Sequence, residues 1–152
     1  MPKPRRTSLI ICLVLAVSTA GLITYLSSQI APESNDLSRG FTKWIMDRFV
    51  SGYSSETLRH YNNIARKAAH FTLYFLLGFS LTGVLQHQQR APKLPTTVFL
   101  GAMFAALDEF HQHFVEGRGP QVTDVLLDTC GVLIGSLVML GIAALLRRGK
   151  RG

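Results

Sequence analysis

Charge is scarce in this sequence, and acidic charge is scarcest. Only 16% of the 152 residues are charged and 9 are acidic, while 47% are hydrophobic and the mean hydropathy is +0.23. Soluble domains carry about a quarter charged residues, so this balance points to a small polytopic membrane protein. Cysteine is nearly absent. Cys12 and Cys130 each sit inside an apolar segment, which excludes a disulfide framework and leaves them as small packing residues. There are no internal repeats and no low-complexity tracts. No His-Glu-x-x-His spacing or cysteine cluster is present, and His111 and His113 are two apart, on different helical faces, so no metal site is expected. The net charge of +7 would suit nucleic acid, but the basic residues gather at both termini and in one short loop. Without a basic stripe to follow a phosphate backbone, nucleic-acid binding is excluded.

What is present is apolar sequence in membrane-length runs. Residues 8–30 contain no charge over 23 positions, enough to cross a hydrocarbon core of about 30 Å at about 1.5 Å per residue. Further spans are expected at about 67–85, 96–113 and 123–146. A secretory signal is the competing reading of the first run, with Ser18-Thr19-Ala20 as a cleavage site. The run is long for such a signal and continues past that site. The expected architecture is therefore an all-α bundle of four transmembrane helices. Residues 1–30 are the tail and first span, 31–66 an external loop, 67–146 a three-helix core and 147–152 a basic tail. In the loop, Phe41, Trp44, Ile45, Phe49 and Val50 recur at near-helical spacing. They predict a short amphipathic helix in the interface, where Trp is favoured; a lid of ordinary packing is the alternative. Ser54 and Ser55 ahead of Glu56 offer an N-cap for a helix leading into the second span.

Orientation follows from the basic clusters. Lys3, Arg5 and Arg6 precede the first span, Arg90 and Lys93 join the second to the third, and Arg147, Arg148, Lys150 and Arg151 follow the fourth. With four spans all nine fall on one side, and the positive-inside rule makes both termini cytoplasmic.

Ionisable residues interrupt the outer ends of three spans, where burial is costly and marks functional or internally paired groups. Lys67, His70 and Tyr74 share a helical face by i, i+3 and i+7; Asp108 and Gln112 are i, i+4, as are Asp124 and Asp128. Measured from the cytoplasmic ends, Tyr74 lies at about 17 Å, His70 at about 22 Å and Lys67 at about 27 Å. Asp108 and Glu109 lie at about 18–20 Å, Gln112 at about 24 Å, Asp128 at about 27 Å and Asp124 at about 33 Å. Groups distant in sequence thus reach one depth and predict a single site opening outward. Gly131 and Gly135 continue the Asp124–Asp128 face as a Gly-x-x-x-Gly that lets a neighbouring helix approach closely. Lys67 and Arg118 supply two positive charges against four from Asp108, Glu109, Asp124 and Asp128. Four carboxylates cannot all stay ionised and unpaired there. Either one is protonated, His70 is charged, or a cation binds; a structural network neutralised by Lys67 and Arg118 is the plain alternative. Gly117, Gly119 and Pro120 read as turn chemistry, within which Arg118 could bind an anion.

These motifs resemble those of the VanZ-like family of small bacterial membrane proteins. The resemblance rests on Lys67-x-x-His70-Phe71-x-x-Tyr74, Asp108-Glu109-x-x-Gln112, Gly117-Arg118 and Asp124-Val-Leu-Leu-Asp128-Thr-x-Gly131, across about residues 60–140. It implies a bacterial cell membrane, a bundle of about four spans, and an association with resistance to the glycopeptide teicoplanin. The family often has Asn where this chain has Asp128, which puts the local charge count in doubt.

The leading expectation is an envelope protein acting on or binding an amphiphilic anionic substrate at the outer leaflet, such as a lipid-linked wall precursor or a lipopeptide. In an enzymatic form His70 and Glu109 are the acid–base pair, Asp108 and Gln112 orient them, and Arg118 with Lys67 holds an anion. Tyr74, Asp124 and Asp128 complete the binding set. The alternative is a non-catalytic binding or structural subunit of an envelope complex. A small transporter is disfavoured because the inner halves of the spans are expected to carry no polar residues. Cofactor and oligomeric state have no signature in the sequence.

Overall fold

The computed structural model describes residues 6–29, 31–50, 52–87, 93–115 and 121–149. Five helices follow in chain order: α1 (Arg6–Ser28), α2 (Ala31–Phe49), α3 (Ser55–Leu85), α4 (Lys93–Gln112) and α5 (Val122–Arg148). Among the described residues there is no strand. α1, α3 and α5 are long and apolar enough to cross a membrane. α4 has 20 residues, a membrane's length at about 1.5 Å each, but Asp108, Glu109 and His111 at its end lower its hydropathy, and it does not join those three.

α3 is the hub, packing against each of the other four helices. It starts as Ser54 predicts: the Ser54 side chain accepts the Thr57 amide at 3.1 Å, and Glu56 lies in the first turn. Such a cap is worth about 1 kcal/mol. The helix then runs 31 residues without interruption, so the end of the segment expected as a loop and the apolar run that follows it are one rod. α2 is longer than the short helix expected, at 19 residues, and Val50 falls just past its end. It lies on the first turns of α3, burying Thr42 and Met46 against the neighbourhood of Leu58 and Asn62. Thr42 and Asn62 are 3.4 Å apart at their side-chain oxygens. Gly52, at φ +71°, supplies the left-handed residue that turns the chain from α2 toward α3. The Tyr53 hydroxyl donates to Asp47 across the same turn, which pushes that phenol above its ordinary range.

The closest packing joins α3 to α5, and glycine is the reason. A Cβ on Gly131 would lie 2.7 Å from the Phe71 carbonyl oxygen, and one on Gly135 would run into that of Phe75. In return α3 presents Gly78 to the Val132 backbone. Small residues on both rods let the backbones touch, as membrane helices require when lipid is as apolar as leucine. The core that results is small: Ile23 from α1, Tyr74 and Leu77 from α3, Ala105 from α4 and Val132 from α5.

The two ends of the bundle differ. At one, Arg147 donates to Gln86 at 3.0 Å and Ser8 meets His87 at 3.4 Å. The described basic residues Arg6, Lys93, Arg147 and Arg148 belong to the same end. The half of the bundle nearest it is not free of polar side chains, which corrects the sequence-based expectation. Ser80, Thr82, Thr97 and Ser136 are all fully buried. Ser80 donates to Leu76, Thr97 to Lys93 and Ser136 to Val132, each to a carbonyl one turn back at 2.7–2.8 Å. Thr82 donates to Thr97 at 3.1 Å. A hydroxyl satisfied by its own helix can be buried cheaply, and the Thr82 hydroxyl is satisfied by Thr97, so each of these residues is buried with a partner.

Candidate functional site

The other end of the bundle gathers the ionisable residues. α3 carries Asn63, Arg66, Lys67, His70 and Tyr74 down one face, α4 ends in Asp108, Glu109 and Gln112, and α5 begins after Gln121 with Asp124 and Asp128. The close α3–α5 contact fixes the α3–α5 pairings. Lys67 Nζ is ion-paired with Asp124 Oδ1 and reaches Gln121 Oε1 at 3.4 Å. One turn deeper, His70 Nδ1 stands 3.7 Å from Asp128 Oδ2. The first pair is part-exposed and contributes at most about 1 kcal/mol. The second is more consequential, because Asp128 is 3% exposed and its other oxygen has no partner. A carboxylate facing Nδ1 favours the tautomer that leaves Nε2 free to exchange a proton.

α4 is tied in on both sides. Glu109 Oε1 accepts the backbone amide of Gln121, the residue that caps α5. Asp108 Oδ2 accepts the Ser27 hydroxyl at 2.8 Å and the Gln112 amide at 3.0 Å, and Gln112 also reaches Ser27 at 3.1 Å. Asp108 therefore faces α1 and closes a buried three-residue knot. Tyr74 lies beneath His70, stacked at 6.5 Å and 21° and touching Phe104. It is fully buried, its hydroxyl has no partner within 3.5 Å, and Asp108, Asp128 and Glu109 are its acidic neighbours, Asp108 being the one placed to accept from it.

A cavity of about 240 Å³ opens between these helices. Of the residues singled out from the sequence, Lys67, His70, Glu109, Gln112, Asp124 and Asp128 line it. Asp108 and Tyr74 stand behind its wall and floor. Arg118 lies outside the described residues. Lys67 is engaged by Asp124, and its expected pairing with Arg118 as an anion clamp lies partly outside the described residues. Among these, no three His, Cys, Asp or Glu side chains converge closely enough to hold a metal ion.

Four contributors escaped sequence reasoning: Asn63, Arg66 and Gln121 in the lining, and Ser27 behind it. Asn63 and Arg66 were within reach, since each precedes a chosen residue by four, on the same face. Gln121 is three residues before Asp124. Ser27 gave no signal beyond its position near the outer end of an apolar run.

Comparison with known proteins gives one result for the whole chain. No curated protein and no solved structure matches. The family model described as VanZ/LLP1 matches residues 9–146, which takes in α2, α3 and α4 and nearly all of α1 and α5. With nearly the entire sequence matched and the motif residues converging at one end of the bundle, the chain belongs to the VanZ/LLP1 family.

Proposed function

We propose that the protein is a bacterial cell-membrane protein that receives the polar head of an amphiphilic anionic substrate at the outer leaflet. On this reading α1, α3, α4 and α5 cross the membrane, α2 lies in the outer interface, and both termini are cytoplasmic. Three observations support that arrangement. The described basic tails meet at the end opposite the cavity, which the positive-inside rule assigns to the cytoplasm. α4 turns Asp108, Glu109 and Gln112 inward while Phe99, Met103, Leu107 and Phe110 are exposed, the pattern of a lipid-facing helix rather than a soluble one. α2 leaves Trp44 67% and Phe49 80% exposed, where an interfacial helix carries its aromatics.

The observation that carries the functional reading is His70. It lines the cavity with Glu109, and its Nδ1 is faced by a buried carboxylate, Asp128. That is the arrangement of a general base and acid waiting for a substrate proton. Asp108, Gln112 and Ser27 hold the end of α4 and so position Glu109. A lipid-linked wall precursor, a lipopeptide or a teicoplanin-type glycopeptide each offers a tail and a charged polar body to such a site.

The test is teicoplanin and lipopeptide susceptibility of a Gram-positive host expressing wild type, His70→Ala or Glu109→Gln at matched membrane levels. Protection by the wild type that disappears in both variants is the expected result. Protection undiminished in both removes the acid–base version. One observation favours the second reading, binding without chemistry: Glu109 already accepts the Gln121 amide and so caps α5. That reading predicts graded, partial losses in the two variants.

A further inference from the structure

Among the described residues, three buried side-chain oxygens have no hydrogen-bond partner: Tyr74 Oη, Asp128 Oδ1 and Gln29 Oε1. The first two belong to the ionisable end. Gln29 stands apart from both. It follows Ser28, the last residue of α1, and lines a cavity of about 490 Å³ between α1, α2 and α3. Leu26 of α1, Phe41 of α2 and Ala65, Ala68 and Ala69 of α3 make its walls mainly apolar. The three alanines leave a groove where larger side chains would fill the gap between the helices.

Two features say what this groove takes. It shares a wall with the cavity of the candidate site, because His70 lines both. His70 thus has an apolar groove on one side and a polar cavity on the other, so a molecule with its tail in the groove brings its head to His70. The second feature is Gln29 Oε1, a buried acceptor in apolar surroundings, whose lack of a donor costs about 1–3 kcal/mol. Nearby hydroxyls are engaged elsewhere: Thr72 donates to the Ala68 carbonyl at 2.7 Å and Ser28 to the Tyr25 carbonyl at 2.8 Å. A bare hydrocarbon chain would leave Oε1 as it is. Ester and amide linkages bring the same carbonyl, and only the amide adds a donor. The position of Gln29 fits such a linkage, since it lies beyond the outer end of α1, where a tail pointing inward would meet its head.

We infer that the groove binds the hydrocarbon tail of an N-acylated amphiphile, with the amide N–H at the junction of tail and head donating to Gln29 Oε1. The inference deepens the proposed function and rests on it: the substrate whose head reaches the His70 cavity is one whose acyl chain is amide-linked. It gives α1 and α2 a part in recognition, beside the motif residues on α3, α4 and α5.

The experiment titrates the full-length protein in dodecyl maltoside with N-lauroylglycine and with N-lauroylsarcosine, reading apparent affinity from the rise in melting temperature. The two probes share chain, carbonyl and carboxylate and differ by one methyl, which replaces the N–H. The detergent competes equally with both, so their ratio stands. Wild type is expected to bind N-lauroylglycine about tenfold more tightly, the worth of one hydrogen bond to an otherwise unpaired acceptor. Gln29→Leu should erase that preference. Ala68→Phe, filling the groove, should abolish binding of both. Leu137→Phe, at an exposed position on α5 outside the groove, should leave both unchanged. Equal binding of the two probes by wild type, or a preference that survives Gln29→Leu, overturns the amide contact and with it the inference. Binding that ignores Ala68→Phe, or falls equally with Leu137→Phe, overturns the groove. Gln29 lies past a helix end, so Gln29→Leu decides the matter even where Ala68→Phe does not fold. The readout needs no activity. Loss of protection in His70→Ala without any N–H preference sinks this inference alone, and a Gln29-dependent preference with protection intact in His70→Ala and Glu109→Gln sinks the acid–base reading alone.

Discussion

Both halves of the bundle bury polar side chains, and they satisfy them in opposite ways. Near the basic tails, Ser80, Thr97 and Ser136 give their protons to carbonyls of their own helices, and Thr82 alone of the four buried hydroxyls described there depends on a neighbouring helix, through Thr97. At the other end the partners come from different helices: Lys67 with Asp124, His70 with Asp128, Ser27 with Asp108. The first kind of bond survives small shifts of one helix against another, because both partners move together. The second exists only while the rods stay in register, and it leaves Tyr74 Oη and Asp128 Oδ1 without partners. Buried polar atoms lacking hydrogen bonds cost about 1–3 kcal/mol each, and natural proteins keep them where function requires it. On the proposed function the hydroxyl half is scaffold and the ionisable half is the working end.

The sharpest way to break that contrast is to move α5 away from α3. Gly135→Ile would drive a branched side chain into the Phe75 backbone, where nothing flexible can yield. We expect destabilisation of about 3 kcal/mol or more, seen as loss of membrane accumulation or of a cooperative melt in detergent. Next comes the knot on α1. Asp108→Ala strands Ser27 and Gln112, both buried, and should cost about 2–3 kcal/mol. Ser136→Ala, removing a hydroxyl bonded to its own helix, should cost under about 1 kcal/mol. Equal melting shifts for these two would erase the distinction between the halves. The smallest stability effect belongs to Tyr74→Phe. Its hydroxyl has no partner within 3.5 Å, so the melting temperature should hold or rise slightly, while on the proposed function protection falls. A clear drop in melting temperature would mean the hydroxyl is bonded and structural.

Much of the ionisable end's composition was legible in the sequence because charge in an apolar helix is conspicuous and helical spacing fixes which residues share a face. Lys67 and His70, Asp124 and Asp128, and the Gly131–Gly135 pair all follow from i, i+3 and i+4 counting, and the glycines explain why α5 reaches α3. The rest was hidden for specific reasons. A serine such as Ser27 near the end of an apolar run carries no periodic signal, and its meaning depends on which helix comes to lie beside it. Three of the four buried hydroxyls, Ser80, Thr97 and Ser136, looked like apolar sequence because each donates to its own helix, and Thr82 needs only the Thr97 hydroxyl across on α4. The start of α2 falls among Pro32, Glu33, Ser34, Asn35 and Asp36, a composition that reads as loop, although the helix begins at Ala31.

The central claim is that the ionisable end faces outward, and impermeant thiol labelling of intact cells tests it most directly. In a chain with Cys12 and Cys130 replaced by Ser, Asn63→Cys reports on the cavity mouth and Arg148→Cys on the basic end. The account predicts labelling of Asn63→Cys in intact cells and of Arg148→Cys only after lysis. The reverse pattern would place the His70 cavity in the cytoplasm and contradict an outer-leaflet substrate.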